Sequence, residues 1–417
     1  MKYFLTLIGT LLLMTACHKN DDPDFTELTA TRAVLIYMAG ENNLTITSGT
    51  RYLQYDLEEI IEGSKYLTDK QRLFVFVDSL VTDKKNVGLP YLMEVHGGKI
   101  YERLNFDKDF YSSDPDMFHE IISWMTQNVK ADGYGLVLWG HASGWAVDND
   151  SIATSNRAYG VDTHEDQGAY AEKWMNITQM REALESLPKM DFIFCDCCNM
   201  MSAEVGYELR NQTNYLIGSP AEIPGPGAPY DLIIPELYKN GSDLYKGIVD
   251  TYFDEYVETY TSYSGSTEFS VPMSVIDTKY MEQLAMQTKA VVTSFATNYP
   301  EQLNLNKVPF YFAYDDPAMY DMQGVIKRFA DASLYQAWRD VYKMAVPYYR
   351  ISKEWMSIYS TQQYAFPYFE QDDEYWGCVS MYVPQNSKGY LSGRYAYKER
   401  ANNLAWNRVI DWSHFGW

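Results

Sequence analysis

From residue 32 onward, short apolar runs alternate with stretches in which apolar positions recur every three or four residues. The runs Ala33–Met38, Leu73–Val77, Tyr91–Val95, Gly135–Trp139, Phe192–Cys195 and Tyr215–Gly218 are short, continuous and apolar, as strands buried on both faces should be. Between them, helices are expected at 52–62, where Leu57, Ile60 and Ile61 share a face, and at 176–187, with Met180, Ala183, Leu184 and Leu187 facing inward. Asp114-Pro115 opens another helix, with aspartate as N-cap and proline in the first turn. The alternation predicts an α/β fold whose largely parallel sheet is covered by helices. The segment 147–172 is polar, acidic and rich in small residues, and reads as a long loop. Beyond about residue 240 the pattern loosens. Helices are expected over 244–261, 279–296, 320–330 and 335–348, and strands over 269–276 and 377–384. The organisation read from this is 1–16 leader, 17–29 tether, 30–240 core, and 241–417 an α+β elaboration packed on it.

Two strands end in reactive side chains. Gly135–Trp139 runs into Gly140-His141-Ala142-Ser143-Gly144-Trp145, and Phe192–Phe194 into Cys195-Asp196-Cys197-Cys198-Asn199-Met200. In a parallel sheet, working groups collect at the carboxyl ends of the strands. A histidine and a cysteine delivered there make a thiol–imidazole pair. Alternation points Cys195 and Cys197 one way and Asp196 and Cys198 the other. Cys198, closest to the following helix, is the expected nucleophile, its thiolate favoured by the helix N-terminus and its N–H aimed at an oxyanion. Cys195 and Cys197 also read as small buried hydrophobes, and His141 as an ordinary turn histidine. His96 ends another strand and is the reserve candidate. The loop Ser219–Gly227, with three prolines and two glycines, is placed where a substrate pocket is built.

Composition narrows the field. A net charge of −22 argues against nucleic acid as a partner. The first residues form a signal peptide: Lys2, an apolar stretch from Leu5 to Leu13, and Ala16 before Cys17. Met14-Thr15-Ala16-Cys17 resembles a bacterial lipobox, which predicts lipidation at Cys17 and an anchor in the envelope of a Gram-negative bacterium, in the outer membrane or at the cell surface. Membrane contact is then through this lipid alone, since no later apolar run is long enough to span. The remaining cysteines, three of them within four positions and Cys378 far away, do not form a spaced disulfide framework.

The His-small-Ser-Gly-Trp turn together with Asp-small-Cys-x-Met and the Glu204-Val205 that follows resembles the clostripain family of cysteine endopeptidases, which have a caspase-like fold. The likeness extends to Leu35–Gly40 with Asn42-Asn43-Leu44, to Ser219-Pro220 through Tyr230-Asp231, to Met273–Asp277 and to Ser380–Pro384. The resemblance implies a caspase-like αβα sandwich and hydrolysis of peptides after Arg or Lys through a thioacyl-enzyme. It implies His141 as base, Cys198 as nucleophile, an oxyanion hole from the N–H groups of Ala142 and Cys198, and Asp196 in the pocket for the basic P1 side chain. It also implies self-cleavage in the loop between histidine and cysteine, where Arg157 and Lys173 are the basic residues. No cofactor is required. Calcium activates some members, but the carboxylates here form no recognisable loop motif. A monomer acting on peptide or protein substrates is expected.

Three departures from the family pattern stand out. Ala142 occupies a position that is usually glycine, where a positive φ would cost roughly 1 kcal/mol. Cys197 and Cys195 replace an alanine and an aromatic, so that a Cys197–Cys198 disulfide is conceivable. These departures keep open a weak or inactive peptide-binding relative on the same scaffold. A metal site built from Cys195, Cys197, Cys198 and His141 is a further alternative, but the cysteines alternate across the strand and make a closed shell awkward.

Overall fold

The computed structural model describes residues 29–45, 49–80, 88–146, 159–162, 173–264, 269–299, 303–313, 317–352, 354–355, 369–370, 372–384 and 401–412. In chain order the elements are β1 (Arg32–Gly40), α1 (Tyr52–Gly63), β2 (Gln71–Ser79), β3 (Tyr91–His96), β4 (Lys99–Asn105), α2 (Pro115–Asn128), β5 (Tyr134–Gly140), β6 (Tyr159–Asp162) and β7 (Lys173–Met175). There follow α3 (Ile177–Leu184), β8 (Met190–Asp196), α4 (Ala203–Glu208), β9 (Thr213–Gly218), α5 (Tyr230–Glu236), α6 (Gly241–Ser264), β10 (Met273–Asp277) and α7 (Met281–Asn298). The rest are β11 (Phe310–Ala313), β12 (Pro317–Asp321), α8 (Met322–Phe329), α9 (Ala332–Ala345), β13 (Tyr348–Arg350), β14 (Ser380–Tyr382) and α10 (Ala405–Ile410).

One nine-stranded sheet runs β13-β10-β9-β8-β5-β1-β2-β3-β4. Its middle, from β9 to β2, is parallel; β3 and β4 on one edge, and β10 and β13 on the other, pair antiparallel. β10 and β13 come from the chain beyond residue 240, and they complete the same sheet. The period of two sorts the central strands between two cores. On β1, which is buried throughout, Ala33, Leu35, Tyr37 and Ala39 join the core that holds Phe118 of α2 and Met180 of α3. Val34, Ile36 and Met38 join the opposite core, with Ile60 of α1, Ile233 of α5 and Ile248 of α6. The result is helix, sheet, helix: the expected αβα sandwich.

The Asp114 cap is as expected: it accepts from the N–H groups of Asp116 and Met117. Asn176 with Gln179 closes a capping box at α3, which the sequence reading did not name. Several boundaries differ. The strand expected from 269 begins at Met273, the helix expected from 320 is preceded by β12 and begins at Met322, and α9 ends at Ala345 before β13. β4 is a mostly exposed edge strand whose polar side chains hide its pairing from a hydrophobicity pattern. The segment read as one loop contains β6, which is buried and pairs with β7 directly after that segment. Its Tyr159 hydroxyl shares its one proton between the carbonyls of Tyr37 (2.9 Å) and Trp139 (3.0 Å), clamping the ends of β1 and β5 together. A tyrosine that anchors a strand through backbone carbonyls leaves no period for a sequence reader to find.

Candidate active site

The chain leaves β1 for β2 on one side and returns to β5 on the other, so the parallel strands switch direction of progress at β1. A crevice at such a switch point, beyond the carboxyl ends of the strands, is where ligands bind in open α/β sheets. His141 follows β5 there, and the Glu41-Asn42-Asn43 turn follows β1. Asn43 Oδ1 lies 2.6 Å from His141 Nε2. An amide oxygen only accepts, so in this contact Nε2 is the donor and the lone pair of the neutral ring is on Nδ1. Asn42 fixes the turn: its Nδ2 donates to the carbonyls of Ala39 and Val161, at 3.0 and 2.8 Å. Desolvation of the half-buried imidazole lowers its pKa from 6.5 to about 4, so it is neutral at neutral pH.

Asn43 is the functional residue that the sequence reading missed. Its signal was the strand-then-Gly40-Glu41-Asn42-Asn43 pattern, which marks a turn but does not name a partner 98 positions away.

β8 pairs in parallel with β5, with Trp139 opposite Asp196, so the chain reaches His141 and Cys198 equally far past neighbouring strands. The two turns touch. Gly144 has φ +61°, and a Cβ there would come within 2.3 Å of the Asn199 carbonyl oxygen. Ala142 is not one of the four described non-glycine residues at positive φ, so the expected penalty does not arise; the left-handed turns fall on Gly144 and on Asn199, at φ 60°. Ala142 forms a bridge to Tyr159, and the His141 carbonyl accepts from Gly160 N–H at 2.8 Å.

Cys198 lies in a turn, not at a helix N-terminus. Asn199 reverses the chain and donates its N–H to Ala221, and α4 starts only at Ala203, capped by the Ser202 hydroxyl. The expected helix assistance to a thiolate is therefore absent. Burial, and then the carboxylate of Glu222, push the thiol up to about 12. The Ile223 N–H, which donates to Sγ at 3.4 Å, offsets this in part. All four described cysteines are free thiols. Cys195 and Cys197 pack into the core on the α2 side, as alternation required. Their sulfurs, Cys198 and His141 do not converge as a metal-ligand set.

Asp196 points to the other face and is buried. Oδ2 accepts from Tyr230 Oη (2.8 Å) and Ala228 N–H (3.1 Å), and Oδ1 from Tyr252 Oη (3.1 Å). Gly227, at φ +66°, lets the Ser219–Gly227 loop close on this carboxylate, since a Cβ there would lie 2.8 Å from Oδ2. Burial raises Asp196 to about 6 against these three donors, so it is ionised at neutral pH. Asp56 lies nearby and is bonded to Trp139 Nε1; burial and the charge of Asp196 lift it to about 9. Asp56, Glu59, Glu62, Asp231 and Pro226 line a cleft of about 490 Å³ beside it. Among the described residues, no Lys or Arg pairs with Asp56, Glu59, Asp196 or Glu222. Asp196 is thus a buried ionised carboxylate without a basic partner among the described residues.

His96 lies elsewhere. β3 runs opposite to β2, so its end faces away from this crevice, and Nε2 sits 3.3 Å from Asp69. Lys173 begins β7 with its Nζ 3.8 Å from the centre of the Tyr111 ring. Arg157, Cys17 and the whole leader fall outside the described residues. No helix among the described residues is long and apolar enough to cross a membrane.

Known proteins resemble this chain in sequence and in fold. Clostripain from Hathewaya histolytica is 25% identical over 133 residues, a stretch that is 31% of this chain and 25% of clostripain's own length. The structure of a secreted C11 cysteine protease from Bacteroides thetaiotaomicron, in complex with an irreversible peptide inhibitor, superposes with a TM-score of 0.74 at 28% identity. That superposition covers 92% of this chain and 100% of the other. An inactive zymogen C11 protease from Parabacteroides distasonis shares the fold, with a TM-score of 0.69 at 23% identity over 92% of this chain and 99% of its own. The clostripain family model matches residues 36–417, and the chain belongs to that family.

Proposed function

We propose that the chain is a cysteine endopeptidase that cleaves after Arg or Lys. The observation that carries this reading is the contact of the His141 and Cys198 turns at the ends of adjacent parallel strands, with His141 held by Asn43 through Nε2. Cys198 Sγ attacks the scissile carbonyl carbon, and the thiol proton passes to His141 Nδ1. Because the imidazole is lowered to about 4 and the thiol raised to about 12, the resting pair is neutral, and proton transfer accompanies attack instead of preceding it. The N–H groups of Ala142 and Cys198 take the oxyanion. His141 returns the proton to the departing amine, leaving a thioester that water then hydrolyses.

Asp196 is the acceptor for the basic P1 side chain. Two tyrosine hydroxyls and a backbone N–H hold it ionised, its neighbour Asp56 lines an acidic cleft, and a guanidinium or ammonium entering from that cleft supplies the missing charge. The peptide inhibitor bound to the Bacteroides relative is consistent with a peptide substrate. Self-cleavage at Arg157 or Lys173, lipidation of Cys17, an outer-membrane or surface location, and a monomeric state complete the proposal.

One observation favours a second reading, a weak or inactive peptide-binding relative: the Cys198 thiol is not activated at rest. An arginyl or lysyl acyloxymethyl ketone separates the two. Adduct mass on the Cys198 peptide supports the peptidase. Full recovery of unmodified Cys198, with the thiol shown to be reduced, supports the binding relative.

A further inference from the structure

We propose that the carboxylates of Glu41, Asp78 and Asp162 form a binding site for a hard divalent cation behind the His141–Asn43 pair. They come from the end of β1, the end of β2 and β6, and all three side chains are buried, with exposures of 4%, 1% and 0%. Each offers an oxygen within 4.8 Å of the others. Asp78 contributes the decisive observation: both of its oxygens are buried without a hydrogen-bond partner among the described residues. The nearest hydroxyl, that of Ser112, donates to Asp162 at 3.1 Å, and Ser112 N–H donates to the same oxygen at 2.6 Å. With that hydroxyl already engaged by Asp162, it offsets little of the cost of burying Asp78, whose oxygens face two more acids.

Three buried carboxylates at this spacing are costly unless they share protons or hold a cation. The basic residue opposite Asp162 across the strand pair is Lys173. It stacks on Tyr111 and makes no ion pair among the described residues. Three hard oxygen donors on three separate elements suit Ca²⁺ or Mg²⁺. The ion takes no part in acyl transfer.

Its effect follows from what each ligand adjoins. Glu41 precedes Asn42, which bonds Val161, and Asn43, which holds His141. Asp162 ends the strand whose Tyr159 clamps β1 to β5. A bound ion ties these three elements together and steadies the imidazole. This last step rests on the peptidase reading; the binding site itself does not.

The test uses the full mature chain freed of metal with EDTA. Tb³⁺ is the direct probe, because Tyr37 and Tyr111 lie close enough to these acids to sensitise its emission. The expected results are saturable, one-to-one Tb³⁺ emission, competed by Ca²⁺ or Mg²⁺, and a melting temperature that rises by a few degrees when the winning ion exceeds its Kd about a hundredfold. Asp78→Asn removes one buried charge and keeps the shape, so the metal-free fold is preserved while affinity falls at least about tenfold. Glu41→Gln repeats the test from β1. Absence of saturable emission, equal affinity in folded Asp78→Asn, or a melting temperature indifferent to both ions would each overturn the site and leave shared protons as the account. If binding holds and no peptide is cleaved, the cation site stands and the peptidase reading fails.

Discussion

The Nε2 of His141 and the Oδ1 of Asn43 lie 2.6 Å apart, joining the turn after β5 to the turn after β1. With Nε2 donating to this amide oxygen, the Nδ1 lone pair faces away from it. In the proposed mechanism Asn43 is a positioning residue for the His141 base. Asn43→Ala should lower kcat by about ten- to a hundredfold with KM little changed, because the imidazole loses its orientation and not its basicity. A purely structural role would move the melting temperature instead.

The apposition of the two turns depends on Gly144. Gly144→Ala adds a methyl within 2.3 Å of the Asn199 carbonyl at φ +61°. The expected cost is about 1–3 kcal/mol of stability, together with loss of most activity as the cysteine turn is pushed away. Thermal melts and steady-state kinetics read the two effects. Unchanged activity would mean that the turns are not held against each other.

Under the proposed roles, the acid limb of the pH profile separates the His141 base from the Asp196 specificity acid. His141 is deprotonated above about 4, and Asp196 ionised above about 6. For a substrate with Arg at P1, kcat/KM should therefore fall as pH drops through about 6, as Asp196 takes up a proton and stops attracting the guanidinium. Asp196→Asn should lower kcat/KM at neutral pH and move the remaining acid limb towards 4. A limb unmoved by Asp196→Asn would assign it to another group.

Cys197 and Cys198 are neighbours with opposite surroundings, the first packed among core side chains and the second beside Ile223 N–H and Glu222. Cys197→Ala should keep near-normal kcat/KM at a modest loss of stability, about 1 kcal/mol. Comparing the two single alanine variants in one peptide assay checks this.

Much of this was legible in the sequence, for identifiable reasons. Strands buried on both faces, such as Ala33–Met38 and Phe192–Cys195, announce themselves as continuous apolar runs. The positions of His141 and Cys198 follow from where those runs stop. The alternation that sends Cys195 and Cys197 to one core and Asp196 to the other is a backbone property and was readable at once. What escaped notice depends on contacts between distant segments. Tyr159 anchors a short strand inside an acidic segment, and the His141–Asn43 bond joins two turns. The raised thiol of Cys198 has no signature in the sequence: it follows from burial and then from Glu222, and because Asn199 turns the chain and delays α4 to Ala203, no helix end offsets them.

The most direct test of the central claim is hydrolysis of matched fluorogenic peptides carrying Arg, Lys or Glu at P1, by the mature protein under reducing conditions, beside Cys198→Ala. The account predicts cleavage after Arg or Lys, none after Glu, and loss of all turnover in the variant. Turnover that survives in Cys198→Ala, or no cleavage of any peptide by a protein with a confirmed free Cys198 thiol, would contradict it.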